Sequence, residues 1–116
     1  MTDRLTYEEA VQIWENFQAH TDTSDPDIAG LYQDFYKRAV RYAQIRAGWL
    51  QLTREEKQEA DSGRTNAHNA FINSVHILAR LQGEAGTRWL NQLGDSRKRI
   101  GDFACYTALF LGLMAR

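Results

Sequence analysis

The chain alternates long stretches of helical periodicity with short polar breaks. Tyr7, Val11, Trp14 and Phe17 recur at steps of three and four, which places them on one face of a helix. Thr6 and Glu9 form a capping box ahead of that face, so a first helix is predicted from Tyr7 to about Ala19. The polar run 20–26 leads to a second helix. Ser24 or Asp25 caps it, and Pro26 lies in its first turn, where the missing N–H costs nothing. Ile28, Leu31, Phe35, Ala39, Tyr42, Ile45 and Trp49 carry the pattern to about Leu50, and Tyr32 and Tyr36 widen the stripe.

A second capping box, Thr53 with Glu56, opens the third helix. Lys57, Ala60, Arg64, Ala67, Phe71, Val75 and Leu78 stay in phase, so one helix is predicted over 54–82. An interior glycine costs only about 1 kcal/mol; the alternative is a break at Ser62–Gly63. GlyGluAlaGly at 83–86 ends this helix, and 87–93 form a short helical segment closed by Gly94. Asp95 or Ser96 caps the last helix. Its Ile100, Phe103, Ala104, Thr107, Phe110, Leu111 and Met114 spread round most of the circumference. Such a helix is buried by several neighbours, in the bundle or in a second subunit. The expected fold is all-α, four main helices plus one short helix in a bundle, as a single domain over 1–116.

A domain of this length buries roughly two-thirds of its unfolded surface, so no metal or disulfide is needed to hold it together. The formal net charge of −1 argues against a dedicated nucleic-acid binder. Local basic groups, Arg97–Arg99 and Arg38, Arg41 and Arg46, read first as solvated helix faces. Cys105 is the single cysteine and lies in an apolar run, where it acts as a small hydrophobe. The first residues have no apolar signal core, and the run 103–115 is too short to span a bilayer. A cytoplasmic protein is expected.

Candidate chemistry centres on the third helix. Arg64 and His68 are four apart and share a face; Asn69 and Asn73 lie on its flank. Two readings compete. These groups tie the helix to its neighbours, with Asp34, Tyr42 and Asp102 as candidate partners, or they line a pocket for a small ligand. Buried polar groups must be paired, which favours the tie. Metal binding and cofactors are not expected. His68 and His76 are two turns apart, no carboxylate stands three before either, and no HExxH or paired-cysteine spacing occurs. No GxSxG, P-loop or GxGxxG is present, so no catalytic residue is assigned. Three tryptophans and five tyrosines are a generous load for one small core, and read either as core plus a half-buried rim or as part of an interface. On the second reading Tyr32, Tyr36, Trp49, Trp89, Phe110 and Met114 are the candidate interface residues.

The segments 68–80, HisAsnAlaPheIleAsnSerValHisIleLeuAlaArg, and 89–106, with IleGlyAspPhe at 100–103, resemble a family of small helical proteins of unknown function. That family occurs in lactic-acid bacteria, related Gram-positive species and their phages and mobile elements. The resemblance covers roughly residues 35–116 and implies a helical cytoplasmic protein, with no activity to carry over. The expected function is a non-enzymatic protein–protein interaction module, homodimeric, directed at a host protein. The alternative is a small-ligand binder or enzyme using the pocket around Arg64, His68, Asn69 and Asn73. A third reading, a nucleic-acid-associated regulator, would use Arg97, Lys98 and Arg99.

Overall fold

The computed structural model describes residues 3–112, and among them there are five helices and no strand. They are α1 Tyr7–Ala19, α2 Pro26–Trp49, α3 Arg54–Leu81, α4 Gly83–Leu93 and α5 Arg97–Phe110. Both capping boxes form, Thr6 with Glu9 and Thr53 with Glu56. Asp25 rather than Ser24 caps α2, and Ser96 rather than Asp95 caps α5. α3 runs unbroken through Gly63, around which the space is open.

Contacts between named side chains fix the packing. On α2 and α3, Phe35 meets Phe71, Tyr42 meets His68, and Trp49 meets Arg64. Ascending α2 therefore descends α3, and the two form an antiparallel hairpin joined by residues 50–53. Phe17 meets Trp89 and Gln12 meets Gln92, so α1 and α4 are antiparallel too. α5 touches all four other helices, which explains an apolar character spread round most of its surface. Its buried residues include Ile100, Phe103, Ala104 and Ala108.

Each helix gives one ring to a shared centre. Phe17 of α1 contacts Phe35 of α2 and Trp89 of α4. Phe35 stacks on Phe71 of α3 at 5.4 Å and approaches Phe103 of α5. All five rings are essentially inaccessible to solvent. Aromatic pairs of this kind add about 0.5–1.5 kcal/mol each beyond their buried area.

Two expectations need correction. The buried line of α1 is Ala10, Ile13 and Phe17; of the expected Tyr7, Val11, Trp14 and Phe17, only Phe17 lies on it. The helix is turned so that small Ala10 faces its neighbours, which leaves Tyr7 half-exposed and Trp14 at the edge beside Tyr36 and Phe110. The segment 83–86 is also not a terminator but the first turn of α4. Gly83 has φ +61°, open to glycine at no steric cost, and this reverses the chain at once after Gln82. α4 then folds back onto the end of α3, with Gly86 directly against the Ala79 backbone.

A Cβ at residue 86 would run into the Ala79 carbonyl, which cannot yield as a side-chain tip could. Gly86→Ala is expected to lower stability by about 1–3 kcal/mol. Gly63→Ala, in open helical backbone, is expected to raise it by about 0.5–1 kcal/mol. Chemical denaturation of both variants checks the pair; a stabilised Gly86→Ala would contradict the α3–α4 packing described here.

Candidate functional site

The polar organisation of the molecule is centred on α5, not on α3. Asp102 lies within the apolar IleGlyAspPheAla run, its side chain only 8% exposed. Arg4 clamps it with two bonds, Nε at 2.9 Å and Nη2 at 2.7 Å. The Leu5 backbone N–H donates to it at 3.0 Å, and Arg46 of α2 donates at 3.2 Å. Arg46 reaches it by lying across Gly101, where any Cβ would meet the guanidinium. Burial alone would raise the Asp102 carboxyl. The bonds from Arg4 and Leu5 and the nearby Arg46 charge outweigh that and hold it below the usual carboxylate range.

Arg99, one turn earlier, is also buried. It donates to the Leu93 and Gln92 carbonyls of α4, the Arg4 carbonyl and the Glu9 carboxylate of α1. Glu9 thus serves both its cap and this guanidinium. The bond from Arg99, then those at Thr6, hold its carboxyl below the ordinary value. A third polar junction is Gln82. Its amide donates to the Phe17 carbonyl and the Tyr32 hydroxyl and accepts from the Trp89 indole at 2.7 Å.

Around this frame lies a cleft of about 500 Å³, lined by Arg4, Tyr42, Arg46, Trp49, Leu50, Arg64, Arg97 and Lys98. Trp49 forms a partition. The Arg64 guanidinium sits 4.1 Å from its ring centre, and the same indole borders a second hollow with Arg54, Lys57, Gln58 and Asp61. Seven of the chain's fourteen Lys and Arg residues border these two hollows. Leu50 projects beside them, 86% exposed. His68 stands edge-on to Tyr42, which lines the cleft. Burial, with the charges of Arg97 and Arg46, pushes its pKa down, against a smaller opposing effect of its bond to Asn69.

The four-residue cluster expected on α3 does not form as one site. Arg64 faces the cleft and pairs with Asp61 at 2.8 Å. His68 is half-buried and bonded to Asn69, whereas Asn69 and Asn73 are exposed. Residues 69 and 73 lie on the opposite flank because five and nine residues from Arg64 is not helical repeat spacing. Of the partners expected for this cluster, Tyr42 packs on His68, Asp102 is engaged by Arg4 and Arg46, and Asp34 is exposed. Among the interface candidates, Tyr32 and Trp89 belong to the core, because Gln82 satisfies their polar tips and lets both rings be buried. Tyr36, Trp49 and Phe110 are half-buried, and Met114 lies outside the described residues. The basic run 97–99 is divided: Arg97 and Lys98 are exposed and Arg99 is interior.

Sequence reasoning missed Arg4, Arg99 and Gln82 as organising residues. Asp102 did carry a signal, since a carboxylate inside an apolar helical run needs a cationic partner. Nothing local points to Arg4 as that partner. Cys105 touches Arg46 at 3.7 Å, yet its thiol is pushed up, first by burial. Among the described residues no three His, Cys, Asp or Glu side chains gather into a metal-binding group, and no helix is long and apolar enough to cross a membrane. Comparison with protein-family models, curated proteins and solved structures gave no match.

Because the folded Asp102 titrates below its unfolded value, its contribution to stability is present above that value, near pH 4, and is lost as pH falls through the folded pKa. Acid unfolding should therefore steepen below about pH 4. Asp102→Asn is expected to lower stability at pH 7 by about 2–3 kcal/mol, since two guanidinium groups lose their charge partner. The variant should also show a flatter acid limb. Denaturation between pH 2 and 7 measures both, with unchanged stability in Asp102→Asn as the contrary result.

Proposed function

We propose that this chain is a non-catalytic interaction protein whose working face is the cationic, tryptophan-partitioned surface at the α2–α3 turn and the start of α5. Its partner is a protein presenting acidic side chains around an apolar anchor. The observation that carries this reading is the coincidence of seven Lys and Arg residues with half-exposed Trp49 and fully presented Leu50. Charge of one sign steers encounter and selects partners, while an aromatic or aliphatic anchor supplies most of the affinity. The raised, buried thiol of Cys105 favours binding over thiol chemistry. A cytoplasmic setting and a phage- or mobile-element-encoded regulator acting on a host protein are the context this reading extends to. An acidic protein rather than a nucleic acid is the occupant we favour, because Leu50 offers an aliphatic rather than a stacking surface.

Self-association is a second reading, with its own observation. Tyr7 is 49% exposed and joins Tyr106, Phe110 and Trp14 in a continuous aromatic edge along α1 and α5. This edge, rather than Tyr32 or Trp89, is where a homodimer would form.

Tagged protein and its Arg97→Glu/Lys98→Glu form should be compared in capture from a Gram-positive lysate. One stoichiometric acidic partner is expected with the parent, weakened as salt rises and absent from the doubly reversed form. Identical captures by both forms would remove this surface from consideration. For the second reading, light scattering should give a dimer mass that Tyr7→Ser returns to a monomer; a monomer throughout at high concentration would exclude it.

A further inference from the structure

The cleft carries unrelieved positive charge at one identifiable place. Four helices open with acidic residues in the first turn, where the dipole favours them: Glu8 and Glu9, Asp27, Glu55 and Glu56, Glu84. α5 has none there and begins Arg97, Lys98, Arg99. Arg99 is absorbed by the interior, but Arg97 has no ion pair among the described residues, and Lys98 meets only exposed Asp3 at 3.5 Å. Arg64 stands across the same cleft. One of its carboxylate-facing nitrogens is used by Asp61, while its Nε–H is buried with no acceptor. One turn along α3, His68 Nε2 is likewise buried and unpartnered. Buried groups of this kind are rare in folded proteins, and each leaves a hydrogen bond to be made.

We propose that the hollow between Arg64, Arg97 and Lys98, with His68 beside it, is a binding site for an oxyanion, a carboxylate or phosphate group presented by the partner. This rests on the reading of the surrounding surface as the working face and names the group that surface recognises. An oxyanion there would accept from the Arg64 guanidinium and from Arg97, and would relieve the repulsion at the head of α5. Guanidinium groups suit this task, since their fixed donors match the geometry of carboxylate and phosphate oxygens.

Occupancy has a proton signature. His68 is faced by Tyr42 and Arg46 from α2, by Arg97 from α5 and by Asn69 on its own helix. Burial first, and then these two positive charges, push its pKa below the ordinary histidine value. An anion in the hollow offsets those charges, so binding draws a proton onto the ring. The linkage then runs one way: binding strengthens as pH falls from 8 to 6.

Sodium sulfate is the first probe, because its charge is constant over this range. The full chain, labelled for NMR, is titrated with sulfate replacing chloride at fixed ionic strength. The His68 ring and the three separate indole N–H signals are followed. Saturable shifts at His68 and Trp49 are expected, with affinity roughly tenfold higher at pH 6 than at pH 8. Arg97→Gln, at an exposed position, should leave the fold intact and weaken binding by about tenfold or more. Succinate and inorganic phosphate at one pH form the second arm: stronger succinate binding assigns the site to acidic side chains, and stronger phosphate binding to a phosphorylated partner. Shifts that are absent, non-saturating or unchanged in Arg97→Gln overturn the proposal, as does binding indifferent to pH. Partner capture lost on charge reversal without sulfate binding would sink the oxyanion site alone. Saturable sulfate binding with no captured partner would sink the protein-partner reading and leave the site standing.

Discussion

The carboxylate of Asp102 receives four hydrogen bonds, from two guanidinium groups and one backbone N–H, and three separated parts of the chain converge on it. The N-terminal segment arrives through Arg4 and Leu5, α2 through Arg46, and α5 supplies the carboxylate itself. A charge so far from water survives only because its partners are in place. Arg4 is itself largely exposed, so its share is screened by solvent, and the backbone N–H and Arg46 form the drier part of the junction. The junction reaches into the packing: a Cβ at residue 101 would push the Arg46 guanidinium from its present place.

The same junction shapes the outer surface. Arg4 and Arg46 are held on one side of the cleft by Asp102, and Arg64 is held on the other by Asp61 and the Trp49 ring. The cations are thus positioned by structural contacts before any ligand arrives. Side chains fixed in this way lose less conformational freedom on binding than free lysines would. A chain of net charge −1 nevertheless presents a strongly positive face, because half of its cations gather on one end of the molecule.

Much of the fold was legible in local pattern. Capping boxes and apolar spacing marked α1 and α3 to within a residue or so, and Pro26 marked the start of α2. Periodicity was weaker at choosing which residues face inward. On α1 it selected the large side chains, whereas packing buried Ala10 and Ile13. The turn at Gly83 was misread because a glycine pair looks the same whether it ends a helix or starts the next. The candidate site was legible only in part. Arg64 and Trp49 lay on predicted helices, but their meeting depends on the register of the α2–α3 hairpin. Tyr32 and Trp89 looked like surplus aromatics, since their burial rests on one glutamine amide that satisfies both from a different helix end. Ties such as Arg4–Asp102 span almost the whole chain, and no local pattern encodes them.

Arg99 has a consequence for how the molecule comes into being. Its guanidinium holds the Arg4 carbonyl and Glu9 near the front of the sequence, and the end of α4 near the back. On the ribosome, residues 4 and 5 are made before residues 99 and 102 and find nothing to bind until those have followed them out. α1 and the α2–α3 hairpin can form and associate as they are made, since their contacts are closer in sequence. Closure of the N-terminal segment cannot. Residues 4 and 5 therefore stay unplaced until α5 has been made, and it is α5 that fastens them down.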